Sequence, residues 1–141
     1  MSILKNRGFT LIELLVVIAI IGILASVVLA SLNSARDKGA DAAIKSSLNN
    51  ARAQAELFYD DNSNSYATVC DSGVTGGIFP FRTGATNAGS GAVECADNAT
   101  EWALQAQLVS NTGNYYCVDS TGNATTTGSD TITDGSDETC G

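Results

Sequence analysis

Lys5-Asn-Arg-Gly-Phe-Thr-Leu-Ile-Glu13 is followed at once by an apolar run that ends at Leu32. Within residues 9–32, Glu13 is the single charged residue, and Leu, Ile, Val and Ala fill most of the remaining positions. As an α-helix the run would extend about 36 Å, enough for a bilayer core of about 30 Å. An ionised carboxylate in hydrocarbon costs about 2.5–3.5 kcal/mol on insertion scales, so Glu13 needs a partner or a purpose. Two readings compete. Glu13 either snorkels to the membrane surface, or its charge pairs with an amine from another subunit once the helix leaves the bilayer.

Lys5 and Arg7 lie before the span and no charge of either sign follows Glu13 until Arg36. That asymmetry orients the span with residues 1–8 in the cytoplasm and everything after Leu32 outside. A secretory signal peptide fits residues 1–30 less well. The apolar run is too long for one, and a helical pattern follows it where a turn and a small-residue cleavage site belong.

The remainder is small and acidic. The chain has 141 residues with 15 acidic and 7 basic side chains, which allows one small domain beside the helix. Loss of a leader carrying Lys5 and Arg7 would leave 15 acidic against 5 basic residues, a net charge of −10. Such a surface argues against nucleic-acid binding through phosphate neutralisation. Cys70, Cys95, Cys117 and Cys140 all lie after the span, as two disulfides in an oxidising compartment would require. There is no His and no Cys-x-x-Cys, so no pattern suggests zinc and a His-based nucleophilic triad is excluded. The acidic residues mostly lie in Gly/Ser/Thr-rich loops, where solvation is their ordinary role, and we read the chain as a non-enzyme with no cofactor.

Beyond Leu32, Ala40, Ile44, Leu48, Ala51, Ala55 and Phe58 recur at steps of four and three and form one helical stripe. Asp37, Asp41, Lys45, Arg52 and Glu56 lie off it, with Asp41 and Lys45 as a favourable i,i+4 pair. No Pro occurs before Pro80. The pattern predicts one helix from about Thr10 to about Tyr59, with a membrane half at 9–32 and an amphipathic half at 33–60. Asp60-Asp-Asn-Ser-Asn-Ser65 stops it. Residues 61–100, rich in Gly, Ala, Thr and Asn, read as a connecting loop. Trp102, Leu104 and Leu108 alternate with Ala103, Gln105 and Gln107, which predicts a strand with one face on the core. Asn111-Thr-Gly-Asn114 is a turn and residues 115–118 the returning strand, so 101–141 reads as a β-hairpin and a tail. The tail from Asp119 is too polar for a core of its own, and Cys140 is the residue able to tie it down.

Arg7-Gly8-Phe9-Thr10-Leu11-Ile12-Glu13 with its apolar sequel resembles the class III signal of type IV pilins and secretion-system pseudopilins. That signal needs a basic leader, Gly before the cut, Phe after it and Glu fifth in the mature chain, and all four are present. The resemblance implies cleavage between Gly8 and Phe9 by a membrane-embedded prepilin peptidase, followed by N-methylation of Phe9. It implies that Glu13 attracts the Phe9 amine of a neighbouring subunit and sets the axial register. The implied fold is α+β: a long N-terminal helix packed on a small antiparallel sheet, with a disulfide-bounded C-terminal region.

The implied function is that of a structural subunit, held as a precursor in the inner membrane among its lipids. An assembly platform and its cytoplasmic ATPase would then lift it into a homo-oligomeric, helical cell-surface filament. A pseudopilin of a secretion or DNA-uptake machine is the near alternative, and a membrane-anchored extracellular binding domain the remoter one. Neighbour-to-neighbour pairing gives Cys70–Cys95 and Cys117–Cys140. Three connectivities exist, and the residues alone do not decide. The resemblance to the disulfide-bounded region of pilins favours Cys117–Cys140.

Two weaker signals remain. Asp130, Asp134, Asp137 and Glu138 cluster around Gly135 as a calcium candidate, although the spacing matches no twelve-residue calcium loop and a solvated acidic tail explains them as well. Asn98-Ala-Thr100 and Asn123-Ala-Thr125 match the glycosylation sequon, a three-residue pattern of low specificity.

Overall fold

The computed structural model describes residues 8–132 and 138–141. Its elements run α1 (Leu11–Asp61), α2 (Phe79–Asn87), β1 (Val93–Asp97), β2 (Trp102–Gln107), β3 (Tyr115–Asp119) and β4 (Ala124–Thr127). The chain forms two compact units that divide between Ala35 and Arg36.

The described part of the first unit, residues 8–35, is the start of α1. Every side chain in it is exposed, including Ile12, Ile18, Leu24 and Leu29. Among the described residues α1 is the one helix long and apolar enough to cross a membrane, and none of its apolar window is buried in the protein.

In the second unit, α1 buries Asp41, Ile44, Leu48, Ala51, Ala55 and Phe58. They follow one another at three and four residues, so a single stripe meets the core. The sheet is an antiparallel meander in the order β1-β2-β3-β4. Leu104 pairs with Cys95 on one side and Val118 on the other, which makes β2 the central strand of the first three. Trp102, Leu104 and Ala106 join Ile44, Leu48 and Ile78 in the main core. The architecture is α+β, a long helix on a four-stranded antiparallel sheet.

The stretch 61–100, read as a connecting loop, holds both α2 and β1. Pro80 sits at the first positions of α2, where a missing N–H costs nothing, and so begins a helix here. Ser47 Oγ donates to the Phe81 carbonyl at 2.9 Å and Ala85 is buried, which docks this short helix. β1, Val-Glu-Cys-Ala-Asp, pairs with β2 over all five of its residues.

The one-sided burial expected for β2 is also corrected. Trp102 through Ala106 are all buried, on both faces. The tail supplies the second cover. Ile132, 1% exposed, forms a smaller cluster with Ala96, Ala103, Cys117 and Cys140. The tail also contributes β4, paired with β3 through Thr127↔Tyr115 to Ala124↔Val118. Its polarity rules out an independent core, but one Ile suffices to seal a face that the sheet already provides.

Candidate functional site: the amino-terminal segment and the stapled tail

Gly8 and Phe9 precede the helix in exposed chain outside any helix or strand, with Phe9 83% exposed. Thr10 then caps α1. Its N–H and its hydroxyl donate to Glu13 Oε2 at 2.9 and 2.8 Å, and the Glu13 N–H donates back to Thr10 Oγ1 at 3.2 Å. This reciprocal arrangement is a capping box, which satisfies helix-end donors that would otherwise face solvent or lipid. The carboxylate also sits in the first turn, where the helix dipole favours negative charge. Both bonds from Thr10 land on Oε2. Among the described residues Oε1 accepts no hydrogen bond, so the group can accept a further donor while it caps its own helix. The Thr-x-x-Glu spacing was present in the sequence and is the signal that identifies Thr10 as a partner of Glu13.

The cysteines pair as Cys70–Cys95 and Cys117–Cys140, and no free cysteine remains. The first links the segment after α1 to β1, and the second links β3 to the chain end. Asp119, 1% exposed, gathers the same region. Its Oδ1 accepts from Thr121 N–H at 3.0 Å, Thr121 Oγ1 at 2.7 Å and Asn123 N–H at 3.0 Å. Its Oδ2 accepts from Asn123 Nδ2 at 3.0 Å and Cys140 N–H at 2.9 Å. Burial pushes this carboxyl up, but the bonds from Cys140, Thr121 and Asn123 outweigh it and leave Asp119 below the ordinary carboxylate value.

Gln105, fully buried on β2, fastens the tail across the sheet. Its Nε2 donates to Glu94 Oε2 at 2.8 Å and to Asp130 Oδ1. Its Oε1 accepts from the Thr131 N–H and hydroxyl, each at 3.1 Å. Neither Asp119 nor Gln105 was singled out from the sequence, because a lone polar residue in a strand carries no pattern.

Asp41 does not lie off the packed face of α1. It is 8% exposed and accepts from the Val109 N–H at 2.6 Å, the Ser110 N–H at 3.3 Å and the Ser110 hydroxyl, which pins the β2–β3 connection to the helix. Burial pushes its carboxyl up, and the bonds from Ser110 and Val109, aided by the Lys45 charge, bring it below its ordinary value. Lys45 itself sits 5.5 Å over the Tyr116 ring.

Of the calcium candidates, Asp130 is engaged by Gln105, while Asp134 and Asp137 lie outside the described residues. Among the described residues no group of three metal-binding side chains forms. Asn98 Oδ1 accepts from the Thr100 N–H, the Thr100 hydroxyl and the Glu101 N–H, a closed local turn. A cavity of about 470 Å³ opens between α1 and the β3–β4 turn, lined by Asn49, Arg52, Glu56 and Asp119 among others. Arg52 donates to the Gly122 carbonyl at 3.1 Å and Asp119 is fully engaged, so these two hold the turn, while Glu56 accepts from the Tyr66 hydroxyl at 3.0 Å.

Residues 3–29 match the family model described as the prokaryotic N-terminal methylation motif. A methylation motif leading an exposed apolar helix, on a helix-and-meander α+β fold, defines a pilin-like chain. Over 62 residues the chain is 48% identical to the type IV wide pilus major component PilA4 of Thermus thermophilus, across 44% of this chain and 47% of that protein. The alignment thus spans about half the length of that relative. No solved structure matches. In its motif and over this aligned stretch the chain is similar to type IV pilins.

Proposed function

We propose that this protein is a structural subunit of a type IV pilus. The precursor sits in the inner membrane through residues 9–32, is cut after Gly8 by a prepilin peptidase, is N-methylated on Phe9, and polymerises into a cell-surface filament. An assembly platform and its ATPase supply the work of extraction. The observation that carries this reading is the first unit itself: a fully exposed apolar helix headed by Gly8, Phe9 and Glu13. Such a surface has two coverings available, lipid and other helices of the same kind.

Reburial against other copies provides the cohesion. At about 25 cal/mol per Å², a few hundred Å² per neighbour contributes on the order of 5–10 kcal/mol. The Glu13 carboxylate, capped by Thr10 through one oxygen, offers the other to the methylated Phe9 amine of a neighbour. That pair sets register more than strength, because desolvation of both ions offsets most of its attraction.

Two substitutions test the reading. Gly8→Ala should leave an uncleaved precursor in the membrane, and normal processing would remove the peptidase step. Glu13→Leu should still insert and be cut, yet enter filaments poorly. Filaments of ordinary number and length from this variant would remove the register role.

A further inference from the structure

The outward side of α1 in the second unit presents Gly39, Ala43, Ser46, Asn50, Ala53 and Leu57, all exposed. Their spacing alternates between four and three residues, as on the buried side, so they form a second, uncovered seam on the same helix. Most are small, and Leu57 closes the row at 59% exposure. Charges bracket the seam. Arg36 and Lys38 stand at its start, and among the described residues neither makes a hydrogen bond, ion pair or ring contact. Asp60 and Asp61, both exposed, stand at its end, in the last turn of a helix that has no basic residue there. Acidic residues at a helix C-terminus oppose the helix dipole and favour a cation from elsewhere.

Resting on the filament reading above, we propose that this seam receives the apolar half of α1 from a second copy, in the register that sets Arg36 of one copy level with Asp61 of the other. The same register brings Glu13 beside Lys38. It sets Leu14, Ile18, Ile21, Ala25, Val28 and Leu32 along the seam in the same four-and-three rhythm, with Leu32 meeting Leu57. Neighbouring registers do worse. A slip by three positions, which keeps the same face toward the partner, leaves one pair, Lys38 with Asp60, and sets Glu13 opposite Ala35, while a slip by four in that direction leaves none. A slip by three the other way sets Glu13 opposite Asp41. The step from Arg36 to Asp61 corresponds to about 37 Å of helix and close to seven turns, so the seam keeps its face over the interval. Small side chains let two helices approach closely. The exposed charge pairs add little cohesion and select the register by penalising the others. Glu13 thus serves two neighbours, the Phe9 amine of one and Lys38 of another.

The test uses the full-length chain expressed in its own assembly system. Processing is read from intact mass and filaments from shear fractions. Arg36→Asp and Asp61→Arg should each be processed normally yet lower filament yield about tenfold, the effect of a like-charge contact at the interface. The double reversal should return yield to near that of the parent. In parallel, Leu32→Cys with Leu57→Cys should give a covalent ladder of subunits in filaments, while Leu32→Cys with Asn50→Cys should give none. Equal yields from single and double reversals, or equal cross-linking by both cysteine pairs, would overturn the register. A parent chain never found in filaments would overturn the filament reading beneath it, and the two failures are told apart by that first measurement.

Discussion

The Cys140 N–H donates to Asp119 Oδ2 at 2.9 Å, and Asp119 lies two residues along β3 from Cys117, the disulfide partner of Cys140. The chain end is therefore held to one strand twice, once covalently and once through a buried carboxylate. The covalent link limits how far the tail can move in the unfolded chain. The carboxylate fixes where it sits in the folded one.

Removal of that carboxylate strands several donors. Asp119→Ala leaves the N–H groups of Thr121, Asn123 and Cys140 without their acceptor, and a loss of about 2–3 kcal/mol is expected in denaturant unfolding. The link through Cys117 should keep the tail attached, so the transition should remain a single step. A variant as stable as the parent would show that the network is incidental.

The acid limb of stability should carry the same signature. Asp119 sits below its unfolded value, so its contribution is complete above about pH 4 and is lost as the pH falls through its folded value. Asp97 has the opposite sign. Burial, with the negative charges of Asp71 and Glu138, raises it against the bonds from the Thr68 and Cys70 N–H groups. Its contribution is present below the unfolded value and lost as the pH rises through the folded one. Thermal melts across pH should therefore show Asp119→Asn with a flattened acid limb, and Asp97→Asn with a higher Tm than the parent at pH 7. A lower Tm for Asp97→Asn at pH 7 would refute this assignment.

Gln105→Leu keeps the volume on β2 but removes the donor to Glu94 and Asp130 and the acceptor for Thr131. The expected cost is about 1–3 kcal/mol. Proteolysis should cut the tail after Gly128 sooner than in the parent, while amides of α1 stay protected. Unchanged proteolysis would mean that Ile132 packing and the Cys140 attachments hold the tail without Gln105.

Gly77 is a backbone contact. A Cβ there would meet the Val69 carbonyl oxygen at 2.8 Å, the same oxygen that accepts from the Ile78 N–H at 2.9 Å. Gly77→Ala must shift the backbone just before α2, and about 1–3 kcal/mol of destabilisation is expected. Gly22→Ala is the control, since open space surrounds that position and Ala favours helix.

The parts legible in the sequence were those whose signal is periodic or local. The stripe Ile44, Leu48, Ala51, Ala55 and Phe58 announced the amphipathic half of α1, and the turn at 111–114 between two apolar runs announced the β2–β3 hairpin. What stayed hidden depends on distant residues. The outer face of β2 looked solvent-facing because its cover, Ile132, arrives from the tail, after two further strands have been laid down beyond Ala103. Asp41 looked like a surface charge because its donors, Val109 and Ser110, lie far along the chain. α2 was masked by the Gly, Ala, Thr and Asn content of 61–100, although Pro80 begins the helix and Gly84 lets it approach Ser47. At the amino-terminal segment Gly8, Phe9 and Glu13 were singled out through the resemblance to the class III signal, while the capping role of Thr10 shows only in its hydrogen bonds to Glu13.

Intact mass of the chain recovered from sheared cell-surface filaments is the most direct test of subunit processing and export. The proposed function predicts a chain that begins at Phe9, heavier by one CH2 for the methyl group and lighter by four hydrogens for the two disulfides. Full-length protein confined to membranes, with its leader intact, would contradict it.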